Sequence, residues 1–323
     1  MAHEVETMAY AGETPWHGLG VRVPSTLSPE EMLKVAGLDW RVDKFPSWFE
    51  YEDSHGNTIR KKTGDSALVR LTDMRVLSTV SDNWMPLQNH KAFELFDEFT
   101  KAGDMEMHTA GSLKTGKFVW ALAKVRDGFR LFNGDEVESY LLLTNPHKYG
   151  HKIDIRFTPI RVVCNNTLTM ALKGRDDVTM SATHHSELDL NMVKETLGLA
   201  KKKMTDYKEA AEFLGSKKAA KNDVLEFFLK LFPASEGSLK SANDNIANRI
   251  ALPGHRAMAL IETQPGANYA AGSWWPVLNS VTRYLDHEAG RSADTRLHSA
   301  WYGAARRTKI KALNLAMDYA KAA

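Results

Sequence analysis

The sequence predicts an α+β fold: a mostly antiparallel, bent sheet with a packed helix in the N-terminal half, followed by a helical C-terminal portion. Three observations carry that expectation. The first half holds a succession of short alternating or β-branched runs separated by turn residues. One segment within it, "NHKAFELFDEFTKAG", switches to helical spacing. From Val193 onward the apolar period lengthens to 3.5 residues, the mark of a helix seam. A chain of 323 residues is long for one core, so two modules are expected, 1–188 and 189–323, with a seam near 186–191.

Taken in order, "WFEYEDSHGNTIRKK" (48–62) predicts a hairpin turning at His-Gly-Asn. "SALVRL" and "MRVLSTVS" predict two further strands with a turn between them. In 89–103, Phe93, Leu95, Phe96 and Phe99 fall on one broad helical face, and Gly103 supplies the stop. "MEMHTAGS", "KFVWALAKV", "ESYLLLTN" and "IDIRFTPIRVV" resume the strands. A short helix is expected to begin near Asn165 or Asn166, because Asn caps well and "TLTMALK" follows. Val193, Leu197, Ala200, Met204, Tyr207, Ala211 and Leu214 then line a seam against a partner, flanked by Lys194, Lys201 and Lys208. Helices are expected at about 221–232, 241–252, 273–290 and 299–321, the third with Pro276 in its first turn.

The net charge of +2 hides an asymmetry. Residues 1–100 carry 10 Lys/Arg against 16 Asp/Glu, residues 101–200 carry 13 against 12, and residues 201–323 carry 19 against 12. An acidic front and a basic rear suit polyanion binding or self-association. A single cysteine, Cys164, excludes an internal disulfide and multi-cysteine zinc. No apolar run approaches a membrane span, and the first twenty residues lack a basic leader, so a cytoplasmic home is expected.

"GSLKTGK" (111–117) fits the spacing of a phosphate loop, but Phe118 stands where Ser or Thr would ligate magnesium, and a strand pattern follows instead of a helix. A hairpin with lysines at its tip is the better account. His147 and His151 have a metal-ligand spacing, yet Pro146 and Gly150 place them in a loop, and no metal is expected. Cys164 ends an apolar run and reads as a small core residue. Neither catalytic residues nor a cofactor are assigned.

What remains is an array of cations mixed with rings. Arg60, Lys61 and Lys62 follow one strand; Lys114 and Lys117 sit at a hairpin tip; Lys148, Lys152, Arg156 and Arg161 dot one segment; Arg306, Arg307 and Lys309 lie in the rear. Trp274, Trp275, Tyr284, Trp301 and Tyr302 are the candidate stacking rings beside the rear cations. Cations combined with stacking rings bind single strands without reading sequence.

"MAHEVETMAYAGETPWHGLG", "TAGSLKTGKFVWALA", "RVVCNNTLTMAL" and "NSVTRYLDHEAGRSADTRLHSAWYGAARRTKIKALNLA" together resemble the phage/plasmid-like proteins, a group of unknown function. The resemblance runs along nearly the whole chain and implies a gene carried by phages, prophages or plasmids, acting in the cytoplasm of a bacterial host. In architecture alone the chain is similar to single-strand annealing proteins of the lambda Red beta and Erf kind. That likeness implies an ATP-independent annealing protein that assembles into a ring or filament on single-stranded DNA. Two other readings stay open: an enzyme with Cys164 as nucleophile and His147 or His151 as base, and a protein-binding factor that counters host defence.

Overall fold

The computed structural model describes residues 5–12, 20–132, 134–161, 166–167, 179–182, 190–235, 245–290, 296, 299 and 303–323. The chain forms two compact units, each assembled from several stretches: Met1–Arg126 with Leu141–Arg156 and Val178–Leu197, and Asp127–Tyr140 with Phe157–Asp177 and Gly198–Ala323. The expected seam at 186–191 falls largely outside the described residues. The fold is α+β, with antiparallel sheets that include one parallel pair, and most of the helix in the C-terminal half.

The first unit begins with β1 (Val5–Ala11) and β2 (Val21–Val23), its parallel neighbour. Helix α1 (Pro29–Val35) starts at a capping box, in which the Ser28 hydroxyl accepts from the Glu31 amide and the Glu31 carboxylate accepts from the Ser28 amide. Strands β3 (Val42–Glu52), β4 (Thr58–Arg70) and β5 (Arg75–Ser81) make an antiparallel sheet of their own. The 48–62 hairpin and "SALVRL" therefore belong to one long strand pair. Pro46, which lacks an amide donor, is accommodated because β3 is an edge strand.

The single helix expected at 89–103 is two short ones, α2 (Asn89–Glu94) and α3 (Asp97–Lys101). Phe93, Leu95, Phe96 and Phe99 are all buried. Adjacent residues 95 and 96 are a poor fit to one helical stripe, and the break between the helices turns both inward. Strands β6 (Met105–Leu113), β7 (Phe118–Leu131), β8 (Asp135–Pro146) and β9 (Ile153–Arg161) continue the larger sheet, whose order is β10-β9-β8-β7-β6-β1-β2. Its remaining members are β10 (Asn166–Thr167) and β11 (Thr179–Ala182), both paired with β9. Asn166 thus lies in a ladder opposite Arg161 instead of starting a helix. The rest of that expected helix lies outside the described residues.

Helix α4 (Leu190–Ser216), which belongs to the second unit from Gly198 onward, carries the 3.5-residue seam. In its described part, Met204, Tyr207, Ala211 and Leu214 are buried, and the last three belong to the unit's own core. Over its described part the seam therefore packs within the same chain. Phe129 near the end of β7 and Phe132 in the turn after it join this core: Phe129 meets Tyr207 at 5.7 Å and Phe132 meets Trp275 at 5.9 Å. Gly215 admits the Phe132 ring, since a Cβ there would lie 2.3 Å from it. Helices α5 (Lys221–Leu231), α6 (Leu252–Ala259), α7 (Trp274–Arg283) and α8 (Ala304–Ala322) complete the bundle. Within 241–252 the described part holds only a short 3-10 turn at Ile246–Arg249 and the first residue of α6. Ser273 caps α7 by accepting from the Trp275 amide, and Trp274 and Trp275 are fully buried.

Candidate nucleic-acid interface

The β3–β4 pair leaves its sheet at a bulge. Pro46 pairs with Ser66 but Trp48 pairs with Lys62, so the extra residues of β4, including Gly64 at φ +86°, bend the ribbon outward. Beyond the bulge almost every residue of both strands is exposed, on both faces. Asp53 closes the tip by accepting from the amides of His55 and Asn57, both at 2.9 Å, and from the Asn57 side chain at 3.1 Å. Those donors hold its carboxyl below the usual range.

On this arm Trp48, Phe49 and Tyr51 are 44%, 47% and 41% exposed. Strand alternation divides them between two faces. Trp48 shares one with Glu50, Arg60 and Lys62; the Arg60 guanidinium lies 4.9 Å and the Lys62 ammonium 5.4 Å from its ring, and Glu50 pairs loosely with Arg60 at 3.7 Å. Phe49 and Tyr51 share the other face, stacked at 5.9 Å, with Lys61 5.5 Å from Tyr51. The three cations of the arm are thus each seated at an exposed ring.

A second basic element is the β6–β7 turn. Leu113 pairs with Phe118, so "GSLKTGK" is a hairpin and its lysines occupy the tip. Lys114, Thr115 and Gly116 all take left-handed φ, at +52°, +56° and +86°. Gly116 is required twice over, because a Cβ there would also lie 2.8 Å from the Arg70 guanidinium. The Lys114 and Lys148 ammonium groups lie 5.8 and 5.9 Å from the centroid of the buried Phe118 ring, and His151 meets the same ring edge-on at 4.8 Å. Lys117 is half-buried in the turn and Lys152 is exposed beside His151. Tyr149, strongly exposed, is anchored by its amide, which donates to the Ser78 hydroxyl at 3.1 Å. Ser78 is level with Leu68 on β4, six residues short of Lys62, so the two basic elements are separated by roughly 20 Å of strand.

Arg156 and Arg161 lie on β9, opposite Thr179 and Asn166, and their side chains are outside the described residues, as are Cys164, Arg291, Trp301 and Tyr302. In the second unit Arg307 is exposed and Arg306 half-buried on α8. Lys309 is placed differently from the expectation. It is 0% exposed and donates to Asp286 at 2.8 Å, so its ammonium faces the interior and not a polyanion. Trp274, Trp275 and Tyr284 likewise belong to the core. Among the described residues the exposed rings are Trp48, Phe49 and Tyr51 of the arm together with Phe45 and Tyr149, and sequence reasoning passed over them.

His147 and His151 do not form a metal pair. His147 is buried against Trp40 at 5.1 Å, and its Nε2 is 2.9 Å from Asn89 Oδ1, which also receives a bond from Asn145 at 3.3 Å. No group of three or more potential metal ligands occurs among the described residues. A cavity of about 380 Å³ opens beside Gly116 of the β6–β7 turn, lined by Glu6, Asp39 and Asp73 with Lys34, Arg70 and Trp40. Three of its charged groups bind one another, Arg70 donating twice to Glu6 and twice to Asp73 at 2.7–2.9 Å, and Lys34 donates to Glu30 outside the lining. No helix of the described residues is long and apolar enough to cross a membrane.

A family model described as "Domain of unknown function (DUF932)" matches residues 76–301, well over half of the chain. No curated protein and no solved structure matches it.

Proposed function

The chain belongs to the DUF932 family, and from that premise we propose that it is a single-stranded nucleic-acid-binding protein that acts by coating or annealing strands without hydrolysing a nucleotide. The observation that carries this reading is the β3–β4 arm, where Arg60, Lys61 and Lys62 sit against three exposed aromatic rings. On an arm whose residues are nearly all exposed, large rings add little to folding, whereas rings beside cations suit stacked bases and their phosphates. The lysines of the β6–β7 turn and the loop after β8 add a second basic element in the same unit. The "GSLKTGK" segment, being a hairpin, lacks the helix N-terminus on which a phosphate loop depends.

Carriage on a phage or plasmid, and assembly into a ring or filament on the strand, fit this role. The described part of the α4 seam is occupied inside its own unit, so assembly would use other surfaces. Titration with a short oligothymidylate at several salt concentrations tests the reading. Binding that weakens steeply as salt rises is the expected result. No binding at low salt, or an affinity indifferent to salt, overturns it.

A further inference from the structure

We propose that Lys114, Lys148 and His151, gathered around Phe118, form a phosphate-binding site. The proposal deepens the nucleic-acid reading by naming a subsite, and it rests on that reading only for the source of the phosphate.

Two loops are stitched together here. The His147 amide donates to the Lys117 carbonyl at 2.8 Å, tying the β6–β7 turn to the loop that carries Lys148 and His151. The Tyr149 amide fixes that loop to Ser78, and the His147 ring is locked by Asn89. The backbone that carries the donors is therefore fixed before any ligand arrives, which lowers the ordering cost of binding. The apolar ring of Phe118 is common to all three, with both ammonium groups within 6 Å of its centroid and the imidazole meeting it edge-on.

The imidazole registers the resulting field. Burial, then Lys148, then Lys114 hold the His151 pKa below its ordinary value. An anion between the lysines would reverse the last two effects. Phosphate matches the donor set because its tetrahedral oxygens accept from several directions at once, whereas a carboxylate offers two oxygens in one plane.

The test follows the His151 imidazole resonance of the full chain against pH, in inorganic phosphate and in chloride of equal ionic strength. Phosphate is expected to raise the titration midpoint above the chloride control. A double variant, Lys114→Gln with Lys148→Gln, is expected to raise the midpoint without phosphate and to lose the phosphate response. Identical midpoints for the unaltered chain in the two salts overturn the site, and that comparison needs no variant to fold. A short oligothymidylate that displaces phosphate at His151 assigns the source to a nucleic-acid backbone. A phosphate response that the oligonucleotide leaves untouched upholds the site and removes it from the strand-binding surface. Binding of the oligonucleotide through the arm, read from tryptophan fluorescence, stands or falls separately.

Discussion

Two buried or half-buried ion pairs show what single residues contribute. Asp73 accepts two bonds from the Arg70 guanidinium, and that contact holds its carboxyl down at about 2. Between pH about 4 and about 2 the unfolded chain carries a proton on this residue that the folded chain does not. Its contribution to stability is therefore complete above pH about 4 and disappears as the pH falls through about 2. Asp73→Asn should flatten that part of the acid limb in urea midpoints measured against pH; an unchanged limb would show that Arg70 does not act through this carboxylate. The Lys309–Asp286 pair in the second unit is more deeply enclosed. Asp286→Ala leaves a buried ammonium without its carboxylate and should cost about 3–5 kcal/mol in denaturant unfolding. Combining Asp286→Leu with Lys309→Met should recover most of that loss, because two apolar side chains need no compensation. A single variant as stable as the parent would refute the assignment of a structural pair.

At the scale of elements, the arm separates stability from binding. Its rings touch each other and their neighbouring cations, and nearly the whole ribbon beyond the bulge is exposed. Replacing Trp48, Phe49 and Tyr51 with Ser should change stability by no more than about 0.5 kcal/mol per site, the usual range for surface positions. The same changes should weaken oligonucleotide binding by about 1–3 kcal/mol per stacked base lost. A large fall in melting temperature would instead mark the rings as structural. The hairpin itself was legible in the sequence, because alternation and a turn tripeptide are local signals. Which rings are exposed was not. "SWWP" and "SWFEY" look equally apolar, but the first opens a helix that the bundle covers and the second lies past a bulge that takes it away from any core. Lys309 was misplaced for a related reason: its solvent-like neighbours Arg306, Arg307 and Lys311 conceal that helical spacing turns this one position inward, toward Asp286 on another segment. The seven-residue period of α4 gave the buried face at Met204, Tyr207, Ala211 and Leu214 and left the identity of its partner open, since an apolar stripe does not specify what covers it.

For the whole molecule, net charge is a poor guide to where a polyanion would lie. The first hundred residues are the acidic third, with 10 Lys/Arg against 16 Asp/Glu, yet they contain the arm. Placement decides, because a strand responds to cations within about a Debye length and not to the sum over the chain. Seven cations of the first unit stand on the arm or on the two stitched loops: Arg60, Lys61, Lys62, Lys114, Lys117, Lys148 and Lys152. If all seven neutralised phosphates of one strand, log K would fall against log salt with a slope of about −5, at 0.7 per phosphate. Changing the three arm cations to Gln should then reduce the slope by about 2, and changing the four loop lysines should reduce it by about 3. Additivity of the two reductions would mean that one strand crosses both elements. Loss of the entire slope on changing either set would mean that the remaining element does not bind alone. Arg306→Gln with Arg307→Gln probes the second unit in the same way, and a further reduction of about 1 would bring that unit into the path of the strand. A slope that none of these sets alters would contradict electrostatic binding by the first unit and return the arm to the role of a surface for another protein.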